Sequence, residues 1–385
     1  MKTIRLTLKI GLISLLIGIS VGAVNTLFGR TLLAIGEIRS HYFHYLIPFL
    51  ALAGATIIWA YHYFGKELQK GMGLVLQVGK GQAEDIPKRL IPLVMVSTWI
   101  THLFGGSAGR EGVAIQIGAT ISHNFGKKWL TLEDKTLFLT TGIAAGFAGL
   151  FQTPLAASFF ALKVLHKRTP SWQQVLSIFI AAFSASTTSH LLGLEKFTHH
   201  IGPQILTGKE WLGLLVAGLT YGLIGNSFAL LLKKSKVGIA NPYQRIIFGS
   251  LILSIIFFIA HQGRYSGLGT NLIEASLTGQ VIYNYDWLLK IVLTVATLSI
   301  GFQGGEVTPL FAIGASSGIV LANLLGLPLE LTAALGYASV FAAATNTWLA
   351  PILIGCEVFG FTNLPAFLLV TSLATLIYRK ISIYQ

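Results

Sequence analysis

The sequence is poor in charged residues and nearly devoid of cysteine. Only 11% of its 385 residues are Asp, Glu, Lys or Arg, and only 14 are acidic. So little charge, in a chain that is 53% hydrophobic, excludes a soluble domain of any size. The single cysteine, Cys356, excludes an internal disulfide and a cysteine-ligated metal cluster. The histidines, including His102, show no metal-ligand spacing, so neither a metal nor a cofactor is predicted.

Long uncharged runs take the place of the missing charge. Most of them are near or above the ~20 residues that a helix needs to span a bilayer. The runs cover residues 10–29, 46–65, 90–109, 136–162, 169–194, 211–232, 246–263, 291–305, 331–356 and 358–378. This pattern predicts an all-α integral membrane protein that crosses the membrane many times. Residues 1–22 are interpreted as a retained first helix, because the match to a cleavage site is weak and further spans follow.

The basic residues lie beside the runs rather than in one patch. The formal net charge is +13, with clusters at residues 2–9, 167–168, 233–236 and 379–380. An excess of Lys and Arg marks cytoplasmic loops, so we expect a multi-pass protein of the inner (plasma) membrane with both termini in the cytoplasm. The middle of the hairpin between the second and third clusters, near Glu195, is then expected outside. Membrane lipid, and no nucleic acid, is the expected partner of this charge.

One stretch, residues 105–119, interrupts the apolar sequence in an unusual way. Arg110 and Glu111 stand between two glycines and follow a run long enough to span. A charged residue in hydrocarbon costs about 2.5–3.5 kcal/mol, so the pair must face a protein interior or a water-filled cavity. The sequence from Val113 predicts a new helix, whose first N–H groups have no intrahelical partner and attract anions. Glu111 could fill this anion site itself or leave it to a dissolved anion.

The two halves of the chain resemble each other at an offset of 194 to 196 residues. Residues 71–73, 117–119 and 151–156 match residues 267–269, 313–315 and 345–350 in the same order. We therefore expect one transmembrane domain over residues 1–385, with repeat one at about 1–200 and repeat two at about 205–385. Glycine-rich interruptions at 71–79 and 301–309 predict short or broken helices, which in transporters surround a central ion site.

Three acidic residues are embedded in apolar sequence: Glu111, Glu306 and Glu357. Carboxylates inside a membrane are functional candidates, and proton relays are one of their common uses. Glu357 corresponds to Lys163 in the alignment of the two halves, which favours a paired, structural role for it. Structural roles are also alternatives for two other residues. Arg110 could pair with a buried carboxylate or with backbone carbonyls, and Glu306 could serve as a structural hydrogen-bonding group without a role in proton transfer.

The motifs resemble those of the CLC family of anion channels and anion/proton antiporters. Gly-Arg-Glu-Gly at 109–112 is close to the gating-glutamate motif of that family, and residues 305–309 occupy the place of its second motif. Ser-Ile-Tyr at 382–384 resembles the end of its last helix, which carries the tyrosine of the central anion site. The resemblance covers essentially the whole chain. It implies a CLC-type fold of two inverted-topology repeats with broken and re-entrant helices, a homodimer with one pathway per subunit, and no cytosolic regulatory domain.

Departures from the chloride-transporting pattern point to one branch of the family. Met72 replaces a serine that helps to hold chloride, and Val113 and Val307 replace the usual proline and phenylalanine. Together with Glu306 and Thr308, these departures resemble the CLC-F fluoride/proton antiporters of bacteria. The place of the inner proton glutamate of chloride antiporters holds Val164, so Glu306 is the available substitute on the proton route.

The resemblance therefore implies a secondary active transporter, and not an enzyme, that exports fluoride in exchange for protons. Glu111 is the expected gating and proton-transfer residue, and Glu306 the central proton group. The expected anion-binding residues are Met72, Gly112, Val113, Val307, Thr308 and Tyr384. Met72 could instead be packing filler and Tyr384 an interfacial aromatic. Two other functions are possible for a protein of the same fold: a passive chloride or mixed-anion channel, and a chloride/proton antiporter. A membrane enzyme would need a nucleophile or metal set that the sequence does not offer.

Overall fold

The chain folds into seventeen α-helices over the residues that this computed structural model describes, which are 2–129, 135–165, 170–235, 239–379 and 381–384. In that part of the chain the only β-structure is one isolated bridge. The helices are α1 (Lys2–His41), α2 (Phe43–Leu46), α3 (Leu50–Phe64), α4 (Met72–Gly79), α5 (Leu90–Leu103), α6 (Glu111–Trp129), α7 (Lys135–Phe151), α8 (Pro154–Leu165), α9 (Trp172–Leu191), α10 (Gly208–Lys234), α11 (Pro242–Ile259), α12 (Thr270–Thr278), α13 (Asp286–Ile300), α14 (Val307–Leu325), α15 (Leu329–Thr345), α16 (Leu349–Phe359) and α17 (Leu364–Leu376).

Helices of similar length follow each other in the same order in the two halves. The short helix α4 is followed by α5 and α6, as the short helix α12 is followed by α13 and α14. The interruptions predicted at 71–79 and 301–309 are present, because α4 has only eight residues and α14 begins after a non-helical segment. Five helical segments among the described residues are long and apolar enough to cross a membrane, and the other apolar helices are shorter. The boundaries of the two repeats stay a prediction.

Two of the uncharged runs are each divided between two helices. The run at 136–162 is shared by α7 and α8, and the run at 331–356 by α15 and α16. Each break lies at a residue with positive φ, Gln152 at 56° and Asn346 at 52°. Left-handed backbone ends a helix in the manner of a C-cap, and Asn tolerates it better than most residues. The length of an uncharged run therefore does not give the number of helices within it.

Paired helices in each half approach each other through glycine. A Cβ on Gly314 of α14 would overlap the carbonyl oxygen of Gly336 on α15, and a Cβ on Gly118 of α6 would overlap that of Gly142 on α7. Small residues at such crossings let backbones pack closely where lipid offers no hydrophobic drive for association. These two crossings fix α6 and α14, the helices that begin at the two charged motifs.

We expect Gly314→Ala to destabilise the protein, because the added methyl group meets backbone that cannot move aside. Overpacking of this kind costs about 1–3 kcal/mol. The measurement is the thermal unfolding midpoint of the purified protein in detergent. Gly36→Ala is the matched control, since a Cβ at that helical position meets nothing within 4 Å. Equal midpoints for the two variants would contradict the prediction.

The basic clusters that indicate the orientation lie only partly within the described residues. Lys167 and Arg168, which form one cluster, lie outside them, as do Lys236 and Lys380. The carboxyl end of α1 lies on the same face of the protein as Glu195, because both line one cavity. We call this side of the molecule the Arg39 face.

Candidate anion site

The two charged motifs meet backbone to backbone in the interior. The Gly109 N–H donates to the Gly305 carbonyl at 2.5 Å, and the Gly305 N–H donates to the Gly109 carbonyl at 2.8 Å. A Cβ on Gly109 would lie 2.9 Å from the Gly305 oxygen, and one on Gly305 would lie 2.9 Å from the Gly112 nitrogen. Only glycine allows this approach, since real Cβ atoms essentially never come so near. The bridge places the starts of α6 and α14 side by side.

Helix α6 begins at Glu111 rather than at Val113, so the predicted start is wrong by two residues. The reason is that the extended backbone ends at Arg110, whose carbonyl already accepts a hydrogen bond from the Ala114 N–H. Gly112, Val113, Val307 and Thr308 all lie in the first turns of α6 and α14 and are buried. The structure thus brings these four predicted anion-binding residues together.

The Glu111 carboxylate occupies the start of the other half's helix. Thr308 of α14 donates its backbone N–H to Oε2 at 3.1 Å, and its hydroxyl contacts Oε1 at 2.7 Å and Oε2 at 2.5 Å. The Arg110 N–H also reaches Oε2, at 3.3 Å. A carboxylate at a helix N-terminus satisfies orphan N–H groups and is stabilised by the helix dipole. Glu111 thereby fills an anion site that belongs to α14.

Arg110 lies beside this carboxylate with much of its hydrogen-bonding capacity unused. Its Nε is 3.7 Å from Glu111 Oε1, and the residue is only 9% exposed. Its Nε and Nη1 have no hydrogen-bond partner among the described residues. The pairing predicted as a structural role is present, and the remaining donors face the interior of the site.

Tyr384 brings a free hydroxyl into the interior from the far end of the chain. Its segment is held at the end of α15, where the Ile383 N–H donates to the Ala344 carbonyl and the Ser382 hydroxyl to the Thr345 carbonyl. Its ring packs edge-on against Phe160. The Tyr384 hydroxyl is buried without a partner in the described part of the chain, and it interacts electrostatically with Glu306 and Glu111. A buried O–H donor without an acceptor fits a site for an anion.

Glu306 precedes the first residue of α14 and is half-buried. Its Oε2 faces Gly112, since it lies 3.7 Å from the place of a Cβ at that residue. No other described residue forms a side-chain hydrogen bond with its carboxylate, in contrast to that of Glu111. Glu306 therefore lies near the start of α6 and Tyr384, and the hydrogen bond to its carboxylate comes from its own backbone N–H.

Met72 belongs to α4, a short helix that packs against α6. It begins α4, is partly buried, and packs on the main apolar core. Its neighbour Gly71 faces the amide of Gln116 on α6. Gln116 is 4% exposed, and its Oε1 has no partner among the described residues. The residue before Met72 thus lies next to one unpaired polar atom on the same helix as Glu111.

Glu357 has a structural contact, but not the predicted one. Its carboxylate accepts from the N–H groups of Leu155 at 3.2 Å and Ala156 at 2.9 Å, at the start of α8. Its partners are therefore backbone amides rather than Lys163. The same arrangement occurs at Glu111, where a carboxylate of one half caps a helix of the other.

Two further residues of the interior were not predicted from the sequence. Tyr337 of α15 stacks on Phe311 of α14 with ring centroids 4.0 Å apart and interacts electrostatically with Glu111 and Arg110. Lys290 of α13 is fully buried, and its ammonium bonds to Ser107, in the segment that leads to the gating motif. Lys290 stands immediately before the uncharged run at 291–305, a position typical of a residue at the edge of a span.

Comparison with known proteins decides the family. Residues 52–379 match the voltage gated chloride channel family over most of the chain. The chain belongs to that family. A chloride/fluoride channel protein of Pseudomonas syringae pv. tomato is 35% identical over 329 residues, which cover 82% of this chain and 72% of the relative.

Solved structures of the voltage gated chloride channel family confirm the predicted fold. A crystal structure of a CLC-type fluoride/proton antiporter is 54% identical, covers 98% of this chain and 96% of its own, and superposes with a TM-score of 0.94. A slow cyanobacterial Cl⁻/H⁺ antiporter shares the fold at 17% identity and a TM-score of 0.84, with 96% and 93% coverage. The all-α, multi-pass membrane architecture and the resemblance to CLC transporters are therefore confirmed.

Proposed function

We propose that this chain is a secondary active transporter that exports fluoride in exchange for protons. The observation that carries the proposal is the position of Glu111, whose carboxylate fills an anion site at the start of α14. Relatives described as a chloride/fluoride channel protein and a fluoride/proton antiporter support it. The relatives are channels and antiporters, which supports a transporter rather than an enzyme.

Exchange follows from the competition between two anions for one set of donors. Ionised Glu111 accepts from the Thr308 N–H and hydroxyl and from the Arg110 N–H. Once protonated, the carboxyl loses its charge and with it the attraction of the helix end. A dissolved anion then takes the vacated donors, and the protonated carboxyl moves away with its proton. One residue thereby links anion entry to proton movement.

Fluoride suits the donors that this site supplies. Fluoride is small and strongly hydrated, so a site must replace its water with direct hydrogen-bond donors. The Thr308 hydroxyl, the unpaired donors of Arg110 and the unpaired Tyr384 hydroxyl are such groups. Met72 stands at the start of α4, where chloride members carry a serine hydroxyl, so that donor is missing for chloride.

Glu306 is assigned to the proton route. It lies beside Gly112 with a carboxylate that no other described residue hydrogen-bonds, and it interacts electrostatically with Tyr384. Val164, at the place of the inner proton glutamate of chloride antiporters, cannot carry a proton. A proton released by Glu111 therefore needs another titratable group, and Glu306 is adjacent.

We further assign the protein to the inner (plasma) membrane as a homodimer with both termini in the cytoplasm. The basic clusters beside the spans support the orientation. The Arg39 face is then the external one. Large apolar side chains on the surface of α9 and α17, such as Phe183 and Leu376, are covered by lipid or by the second subunit.

The direct test is efflux from liposomes loaded with fluoride or chloride, with proton movement recorded in parallel. We expect fluoride efflux coupled to proton entry, and chloride efflux many-fold slower. Efflux of either anion without proton movement would indicate a passive channel, and equal rates with proton movement would indicate an antiporter without fluoride preference.

Met72→Ser should reduce the preference for fluoride over chloride, because it restores a hydroxyl at the start of α4. The measurement is the ratio of the two efflux rates. Met72→Leu is the control, since it keeps apolar packing without adding a donor. If both variants change the ratio equally, Met72 acts through packing alone.

A further inference from the structure

A cavity of about 730 Å³ lies at the Arg39 face, separate from the Glu111 site. It is bounded by the carboxyl end of α1, by Ser266 and by the first residues of α12, Thr270 and Asn271. Nothing in the exchange described above uses it. Its charges are distributed in a way that points to a ligand.

Arg39 supplies a cation without a partner at the floor of this cavity. The residue is half-buried, and its guanidinium lies directly against Gly267, where a Cβ would overlap Nη1. No described residue forms a hydrogen bond or an ion pair with it. Arginine remains charged in proteins and carries five donors. A guanidinium that lines a cavity without a protein partner has its donors available to hydrogen-bond an anion.

Lys290 adds a second cation next to Gly267, although it is not one of the residues that line the cavity. It is 0% exposed, and its ammonium donates to the carbonyls of Gly267 at 2.8 Å and Tyr265 at 3.0 Å and to the Ser107 hydroxyl at 2.9 Å. These three oxygens match the three N–H donors of an ammonium group. All three are neutral, and no described carboxylate forms an ion pair with Lys290. The two cations thus flank one peptide unit without a neutralising acid.

None of the other charged groups around the cavity pairs directly with Arg39. Arg264 is itself neutralised by Asp286, with Nη2 and Oδ2 2.7 Å apart. The acidic residues Glu37, Glu195 and Glu274 line the cavity at exposed positions, and none of them forms an ion pair with Arg39. The acids therefore lie at exposed positions of the lining, and Arg39 is the cation of the lining that has no partner among the described residues.

The cavity also adjoins the start of helix α12, and residues in and beside its lining bond to the segment that precedes Glu111. Helix α12 has nine residues and begins at Thr270, which lines the same cavity as Arg39, and its first N–H groups have no intrahelical partner. The Gly267 N–H donates to the Gly106 carbonyl at 3.0 Å, and His102, which lines the cavity, bonds through Nε2 to the Ala108 carbonyl at 2.9 Å. Both contacts fall in the segment that leads to Glu111.

We propose that this cavity is a second anion site, where a small monovalent inorganic anion docks between the Arg39 guanidinium and the start of α12. An anion that leaves Glu111 toward this face would meet the Arg39 guanidinium before it reaches bulk water. The identification of fluoride as the physiological occupant rests on the proposed function. The existence of an anion site does not.

Crystals soaked in bromide test the site independently of transport. We expect an anomalous peak within contact distance of the Arg39 guanidinium in the otherwise unaltered protein, and its loss in Arg39→Gln. Arg30→Gln is the matched control, because Arg30 lies on the same helix and bonds to the Leu192 carbonyl outside the cavity. No peak in the cavity, or a peak that persists in Arg39→Gln, would overturn the proposal.

Transport kinetics supply the second readout. In liposomes, Arg39→Gln should raise the fluoride concentration for half-maximal rate several-fold, while the maximal rate and the fluoride-to-proton ratio stay unchanged. Arg39→Lys, which keeps the charge, should restore most of the affinity. A lower maximal rate without a change in half-saturation would show a merely structural role and contradict the proposal. If the unaltered protein moves no fluoride, the proposed function fails while the bromide result still decides the site.

Discussion

Replacing Glu111 with glutamine should abolish fluoride export driven by a proton gradient. The amide is nearly isosteric, but it neither ionises nor delivers a proton. It also cannot compete as an anion for the Thr308 N–H and hydroxyl, which now hold the carboxylate at 2.5 to 3.1 Å. Proton transport should fall below detection. The measurement is proton uptake and fluoride release from liposomes of folded Glu111→Gln protein under an imposed pH gradient.

Fluoride movement in Glu111→Gln has two outcomes consistent with this mechanism. It becomes uncoupled if Glu111 is only a gate, and it stops if the charged carboxylate is needed to displace fluoride. Glu330→Gln is the control, because Glu330 is an exposed glutamate in the first turn of α15. Robust uphill export by Glu111→Gln would remove Glu111 from the mechanism.

Glu306→Gln should reduce proton-coupled fluoride export by about 100-fold, the low end of what a positioned proton-transfer group contributes. Glutamine keeps the shape beside Gly112 but cannot carry a proton. Since no hydrogen bond from another described residue holds the Glu306 carboxylate, the substitution disrupts no network and should leave the fold intact. The assay is again proton uptake with fluoride release, with the unfolding midpoint measured alongside.

Glu357→Gln separates a proton role from a structural one. Glu357 caps the start of α8 through the amides of Leu155 and Ala156. Its neutral variant should lower the unfolding midpoint and leave the fluoride-to-proton ratio unchanged. If Glu306→Gln exchanges protons at the unaltered rate, or behaves like Glu357→Gln, Glu306 is not on the proton route.

The broken helix at the gating motif could be predicted from sequence because its causes are local. Glycines flank Arg110 and Glu111, and a charged pair in an apolar run has few tolerable environments. The partner of Glu111 could not be predicted in the same way. Its carboxylate binds the helix that starts 196 residues later, and nothing in the local pattern around Glu111 specifies that contact. The sequence indicated an anion site on α6, whereas the occupied site belongs to α14.

The interior of the uncharged runs was equally hard to interpret. Hydropathy is continuous through Gln152 and Asn346, yet each ends a helix with positive φ. Lys290 was hard to interpret for a different reason. A basic residue at the edge of an apolar run is typical of a membrane interface, so its burial could not be predicted from the sequence. Its burial depends on three oxygens from two distant loops, which only the folded chain brings together.

The reciprocal bridge between Gly109 and Gly305 limits how this protein can alternate access between the two sides. Many transporters rock one half against the other around the bound ion. Here such rocking would break two backbone hydrogen bonds at the ion's own depth, and each is worth about 4–6 kcal/mol in an apolar medium. The bridge joins the two halves at the place where rocking would have to separate them. We therefore expect the cycle to proceed by movement of side chains, with the Gly109–Gly305 separation the same in every state of the transporter.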